Sequence, residues 1–352
     1  MKGFLLDVLA HERVLRLTAR LGRGYGTIFV GHRFADAERG TSGHDPAVLR
    51  QHLELLRRHR FNLVPLFDLV ARLRDREPLA RGTVAFTMDD GYADYARVAA
   101  PIFEAYDCPV TVFLTTGFLD GDVWMWWDQI AYVVTSTPYR SLSLDCEGLS
   151  IREQWSSGSE RGVAAERIAE RLKAVPDTAK WVIISALSTT LDVPIPQTPP
   201  LEYAPMGWDD VRACERGVTT FGPHTVTHPI LTQVDATRAA AEIGESWKRL
   251  TQMVAAPVPV FCYPNGTNDA FSERDAALAR AAGLEGAVTT EPRYVRQPGR
   301  RTDVPALLFR IPRFGYPEPG DVRENERQFR HVVGGVERGK AWLRGVRDAA
   351  SR

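Results

Sequence analysis

The sequence predicts an α/β fold: a parallel sheet wound towards a (β/α) barrel and interrupted by one partly helical insertion. Three observations carry this. Short β-branched or apolar runs alternate with helix-period stretches along most of the 352 residues, the rhythm of βαβ units. A stretch at roughly residues 120–205 breaks that rhythm. Hydrophobic residues make up 44% of the chain, enough to bury one large core.

Taken in order, Thr27-Ile-Phe-Val30 reads as the first strand, and Asp45-Pro46 opens a helix with Leu49, Leu53 and Leu56 on one face. Leu66, Leu69, Val70 and Leu73 mark a second helix, and Thr83–Thr87 and Val110–Leu114 are the next strands. Gly217–Phe221 precedes a long helix with Ile243, Trp247, Leu250 and Met253 in register. Val258–Cys262 and Ala287–Thr290 are strand-like, and between them Ala276–Ala282 is helical with Gly283 as its stop. The insertion holds Trp124, Trp126 and Trp127, helical patterns at Ile168–Leu172 and Trp181–Leu187, and the proline-rich run Pro194–Pro200. The expected division is a helical N-terminal segment over 1–26, the barrel over 27–320, and a basic helical tail over 321–352 whose charges form a solvated face.

Composition narrows the function classes. Lys plus Arg and Asp plus Glu each number 44, so no global field attracts polyanions, and nucleic acid is not an expected partner. Cys108, Cys146, Cys214 and Cys262 form no C-x-x-C pair, which fits a reducing compartment. The first apolar run is broken by Asp7, His11, Glu12 and Arg13, and no later run approaches the ~20 residues of a membrane span. A cytoplasmic protein without an integral membrane segment is expected, with peripheral contact through the N-terminus left open.

Two motifs carry chemistry. Thr87-Met-Asp-Asp-Gly91 follows a strand, which places Asp89 and Asp90 at a carboxyl end, where parallel barrels build their sites. One carboxylate can bind a cation while its neighbour stays free for proton transfer. Read alone, the tripeptide is also a common surface turn. His224-Thr-Val-Thr-His228, bracketed by Gly222, Pro223 and Pro229, spaces two imidazoles by one helical turn, so that both reach one ion. Asp90, His224 and His228 leave coordination positions open, as a catalytic site requires, and suit zinc or cobalt, manganese, nickel or iron. Phe261-Cys-Tyr-Pro-Asn-Gly266 ends another strand, and its backbone amides near Tyr263 and Pro264 are candidates for holding an oxyanion. Trp208 is read as an aromatic wall of the pocket or as core. Trp126 and Trp127 either overhang the pocket and stack on a sugar, or plug the insertion onto the barrel.

In order and content these motifs resemble the polysaccharide deacetylase family, the NodB-homology group also called carbohydrate esterase family 4, from about Thr27 to Arg313 with the insertion set aside. The resemblance implies the family's irregular (β/α) barrel, Asp89 as catalytic base, Asp90, His224 and His228 as metal ligands, and the Tyr263 amide in the oxyanion hole. It departs in two places. The arginine that orients the base is missing from Val258-Pro-Val260, leaving Arg310 or Arg313 to replace it. The late Leu-x-His acid is absent, and His32, after the first strand, is its candidate; the alternative is that His32 caps the strand or binds Asp36 or Asp94. The implied enzyme is a hydrolase of carbon–nitrogen bonds other than peptide bonds that removes N-acetyl groups from an amino sugar, glycan or glycoconjugate. Deformylase or amidase-like chemistry and an impaired carbohydrate-binding pseudoenzyme are the rivals.

Overall fold

The computed structural model describes residues 24–317 and 322–334. The chain runs through β1 (Tyr25–Gly31), α1 (Pro46–Arg58), β2 (Asn62–Leu63), α2 (Leu66–Arg74), β3 (Thr83–Met88), α3 (Ala100–Ala105), β4 (Val110–Leu114) and α4 (Thr116–Asp120). The insertion follows as α5 (Trp126–Ser136), β5 (Ser141–Cys146), β6 (Leu149–Gln154), α6 (Gly158–Leu172) and α7 (Asp177–Thr190). The alternation resumes with α8 (Trp208–Glu215), β7 (Thr219–Pro223), α9 (Ala236–Met253), β8 (Val260–Cys262), α10 (Glu273–Ala281), β9 (Gly286–Val288), β10 (Val295–Arg296), α11 (Val304–Leu308), β11 (Phe314–Gly315) and α12 (Val322–Val333).

Local chemistry explains the helix starts. Asp45 accepts the Ala47 N–H at 2.7 Å ahead of Pro46, and Asp235 accepts the Arg238 N–H at 2.8 Å to open α9, each satisfying a donor that a helix start leaves bare. The strands are apolar on both faces, as buried parallel strands must be. Ile28, Ala85 and Phe113 enter one cluster, while Phe29, Phe86 and Val112 enter another. The main sheet runs β10-β1-β3-β4-β7, with β2 and β11 paired to β3 and β1. Only β10 is antiparallel to its neighbour in it. β8 and β9 form a separate parallel pair. One hydrogen bond, from the Val258 N–H to the Phe221 carbonyl at 2.7 Å, links it to β7, and the Val288–Ile311 bridge links it towards β11. The expected (β/α) winding is thus present with irregular strands.

Several expectations need correction. The hairpin β5–β6 was not foreseen in the insertion. It packs with α5, α6 and α7 around a core of its own that contains Trp126, Ile151, Ile168 and Ile184. The stretch at 309–313, which holds both candidate arginines, is a turn out of α11 that carries Ile311 and Arg313 to the edge of β11. The helix expected over 1–26 lies outside the described residues as far as residue 23. Of the basic tail, α12 is described, and it buries Phe329 and Val333 against the main core. Among the described residues no helix is long and apolar enough to cross a membrane.

Candidate active site

The carboxyl ends of β1, β3, β7 and β8 open into a cavity of about 770 Å³ lined by His32, Asp89, Asp90, His224, His228 and Tyr263, with Trp126, Trp127 and Asp128 on the insertion side. Asp90 takes a left-handed φ of 75° and is followed by Gly91 at 92°. A Cβ on Gly91 would lie 2.8 Å from the Leu114 side chain, so only glycine fits this turn. Gly222 answers a similar demand, since a Cβ there would meet the Phe113 ring at 2.7 Å.

His224 and His228 converge with Asp90, but not on a helix as their spacing predicted. The segment after β7 is a loop in which Thr225 and His228 have φ of 66° and 57°. Glu242 on α9 holds it, accepting the Val226 and Thr227 N–H groups at 2.9 and 2.8 Å. The two Nε2 atoms are 3.1 Å apart, and each is 3.5 Å from Asp90 Oδ1. Two imidazole nitrogens and a carboxylate oxygen at this spacing match the edge of a coordination shell with bonds of about 2.0–2.1 Å. His224 Nδ1 lies 2.8 Å from the Cys262 carbonyl; donation there turns the Nε2 lone pair towards the shared point. Burial, joined by the adjacent His224, pushes the His228 imidazole down to about 3, whereas against its own burial His224 is raised by Cys262 and Asp90. The three side chains therefore fit a divalent ion of the zinc type.

Asp89 is built differently. Its two oxygens receive Arg313 Nη1 at 2.7 Å and Nη2 at 2.8 Å, a bidentate pair. Of the two expected substitutes for the missing arginine, the structure brings Arg313 to Asp89; Arg310 pairs with Glu273 at 2.9 Å. Arg313 is fully buried and donates three further bonds, to the Thr289 carbonyl, Thr87 Oγ1 and Cys262 Sγ. Burial by itself raises the Asp89 carboxyl, but the guanidinium outweighs it and holds Asp89 well below the usual carboxylate range. The Cys262 thiol also donates to Asp89 Oδ2 at 3.3 Å.

The remaining expected residues divide. His32 stands exposed after β1 on the cavity rim. Its alternative partners are taken, Asp36 by Arg97 and Asp94 by Arg33. Trp126 and Trp127 both line the cavity, Trp127 with its ring 4.8 Å from that of His228, while Trp126 also belongs to the insertion's core. Trp208 is no wall of the pocket: its indole N–H donates to Asp120 at 2.8 Å, and Arg249 sits 5.5 Å over its ring. Pro264 does not line the cavity. The Tyr263 amide, expected to face an oxyanion, donates to the Val288 carbonyl at 3.4 Å, and the ring stacks on Phe271. Sequence reasoning missed Asp128, which lies in the cavity wall; burial pushes its carboxyl up to about 7 against the opposing charge of Arg33. The only signal was its place beside Trp127.

Residues 197–287 match the family model described as polysaccharide deacetylase. That segment carries the His224–His228 loop and Tyr263, whereas Asp89, Asp90 and Arg313 lie outside it. No curated protein matches the sequence. Among solved structures, the chain is similar to the Streptococcus pyogenes deacetylase PplD in complex with acetate, at 16% identity and a TM-score of 0.54, over 87% of this chain and 97% of that one. IcaB from Ammonifex degensii is similar at 15% identity and 0.52, over 87% and 97%. A de-N-acetylase from Aggregatibacter actinomycetemcomitans is similar at 13% and 0.51, over 86% and 99%. At these identities the likeness shows the fold, which is the α/β fold expected from the motifs.

Proposed function

We propose that this chain, which matches the polysaccharide deacetylase family model over residues 197–287, is a hydrolase of carbon–nitrogen bonds other than peptide bonds that removes N-acetyl groups from an amino sugar within a glycan or glycoconjugate. One observation carries the reading: three ligand atoms 3.1–3.5 Å apart stand beside a carboxylate that binds none of them and is clamped by Arg313. Two of the similar structures are a deacetylase in complex with acetate and a de-N-acetylase, which supports the same reaction.

Asp90, His224 and His228 would hold the divalent ion, which when bound supplies Lewis acidity for the amide carbonyl and lowers the pKa of water. Asp89 acts as general base. Arg313 keeps its carboxylate ionised and fixes the orientation of its oxygens, so the carboxylate is ready to take a proton from the attacking water. His32, on the cavity rim, returns a proton to the departing amine. Trp127 excludes water from the face of His228 and offers a ring to a sugar face.

Acetate release from N-acetylated chito-oligosaccharides, measured with and without chelator, tests the proposal. Chelator-sensitive release is expected, and release by metal-free protein overturns it. The Tyr263 amide, already paired with Val288, is the one observation that favours the pseudoenzyme. Bound metal with no amide hydrolysed would select that reading.

A further inference from the structure

Asp128 lies where the insertion meets the sheet, at the second position beyond the start of α5, and its surroundings distinguish its two oxygens. Oδ2 accepts the Tyr92 hydroxyl at 2.6 Å, and that hydroxyl oxygen accepts the Trp127 indole N–H at 3.0 Å. Tyr92 is itself fixed: the Arg33 guanidinium sits 3.9 Å over its ring, and Asp94 holds Arg33 at 2.7 Å. Oδ1 has no hydrogen-bond partner among the described residues. Yet it is not sealed among the buried unsatisfied atoms, and Asp128, 6% exposed, lines the cavity.

This arrangement is costly for a purely structural contact. A tyrosine hydroxyl that needs only an acceptor is satisfied by a backbone carbonyl or an amide side chain at far smaller desolvation cost than a carboxyl. A buried carboxyl with one oxygen anchored and the other open to a cavity is what a binding group requires, because its geometry is fixed before the ligand arrives. Its position narrows the ligand. Asp128 adjoins Trp127, whose ring packs on His228, and both line the cavity of Asp90, His224 and His228, so whatever meets Oδ1 shares that cavity with the reacting amide.

We propose that Asp128 is a substrate-recognition residue whose Oδ1 accepts a hydrogen bond from a ring hydroxyl of the N-acetylated amino sugar. The inference rests on the deacetylase reading and deepens it: the insertion, through Asp128 and Trp127, supplies the sugar specificity that the sheet end does not. It also defines the substrate class as a sugar with a free hydroxyl next to the acetamido-bearing ring face, and not a simple acetamide.

The test compares wild type with Asp128→Ala and Asp128→Asn, each loaded with zinc. The substrates are N-acetylated chito-oligosaccharides, their monodeoxy analogues, and 4-nitrophenyl acetate, which has no sugar hydroxyl. On the oligosaccharide, and at a pH above about 7 where the Asp128 carboxyl is ionised, Asp128→Ala should lower kcat/KM about 10- to 100-fold, the usual consequence of losing a hydrogen bond to a charged acceptor. Its metal content and aryl-ester hydrolysis should be unchanged. One deoxy analogue should cost wild type the same factor and cost Asp128→Ala nothing further. Equal losses on sugar and ester, or every deoxy analogue costing the variant as much as wild type, overturn the proposal.

Should the alanine variant not fold, Asp128→Asn keeps the shape and the Tyr92 bond, and a sugar-only loss in that variant decides in favour. If zinc-loaded wild type hydrolyses no N-acetyl sugar, the deacetylase reading fails separately. Calorimetric binding of the oligosaccharide then takes over, and unchanged affinity in Asp128→Ala overturns the inference.

Discussion

Among the described residues four buried histidines fall into two pairs, and the pairs do not do the same thing. His224 and His228 meet across 3.1 Å with Asp90 Oδ1 at 3.5 Å from each. His44 and His52 lie behind β1 among rings: His44 packs edge-on to Tyr316 at 5.0 Å, and His52 stacks on Phe329 at 3.9 Å. Both pairs are out of water, and the difference is the carboxylate. Imidazole that is buried among aromatic rings is a polar piece of core. Imidazole that is buried beside an acid, with an open cavity in front of it, is a ligand in waiting.

The largest effect that can break this comparison is removal of metal. Chelation should abolish amide hydrolysis, and added zinc or cobalt should restore it. Zinc should also raise Tm of wild type and not of Asp90→Ala. Zinc stabilising the Asp90→Ala variant just as well would mean that the carboxylate does not distinguish the pairs. Next in size is Asp89→Asn. It keeps the ligand set intact and removes the proton acceptor, so kcat should fall about 10²- to 10⁴-fold at unchanged metal content by atomic absorption. If the variant emerges metal-free, the two carboxylates have been assigned the wrong way round.

The convergence of Asp90, His224 and His228 beside Asp89 was legible in the sequence because adjacent carboxylates and paired histidines need few residue types, at strand ends that apolar runs already mark. What was not legible depends on contacts between remote segments or on backbone shape. Arg313 reaches Asp89 across 224 residues, and no spacing rule separates it from Arg310. The positive φ of Thr225 and His228 carries no glycine or asparagine signature, so the loop was read as a helical turn. The hairpin β5–β6 is a different case, because its signal was there to read: Ser141-Leu-Ser-Leu-Asp-Cys146 alternates with period two and Glu147-Gly148 makes the left-handed turn. Trp208 failed as a pocket wall because Asp120 and Arg249 lie within its reach, which sequence cannot show.

Smaller effects sharpen the contrast between the sheet end and the insertion. His32→Ala should lower kcat on amides, leave metal content unchanged, and spare activated aryl esters, whose leaving group needs no proton. Equal loss on both substrates would remove His32 from proton transfer. Trp127→Ala should raise KM for the oligosaccharide more than it lowers kcat, whereas Trp126→Ala, which opens a hole in the insertion's core, should instead cost about 3–5 kcal/mol of stability. A KM effect confined to Trp126 would reverse their roles.

The smallest effect tests the aromatic pair itself. Burial pushes His52 down to about 3, with Arg330 and His44 adding their charge, and pushes His44 down to about 4, with His32 adding its own. The other faces of the pair are Tyr316, whose hydroxyl lies 2.6 Å from His52 Nδ1, and the rings of Phe34 and Phe329. Both folded values lie below the unfolded value of about 6.5, so the unfolded chain takes up these two protons first as pH falls. Their stabilising contribution is complete above about pH 6.5 and is lost towards pH 4, at about 1.4 kcal/mol per pH unit for each histidine. His52→Phe keeps the stack on Phe329 and removes one titration. Its Tm should therefore fall less steeply than that of wild type between pH 6.5 and pH 4.5, although it begins lower for want of the Tyr316 bond. Parallel curves would mean that His52 is protonated in the folded state, and the pair behind β1 would then need an anionic partner, as the pair at the cavity has.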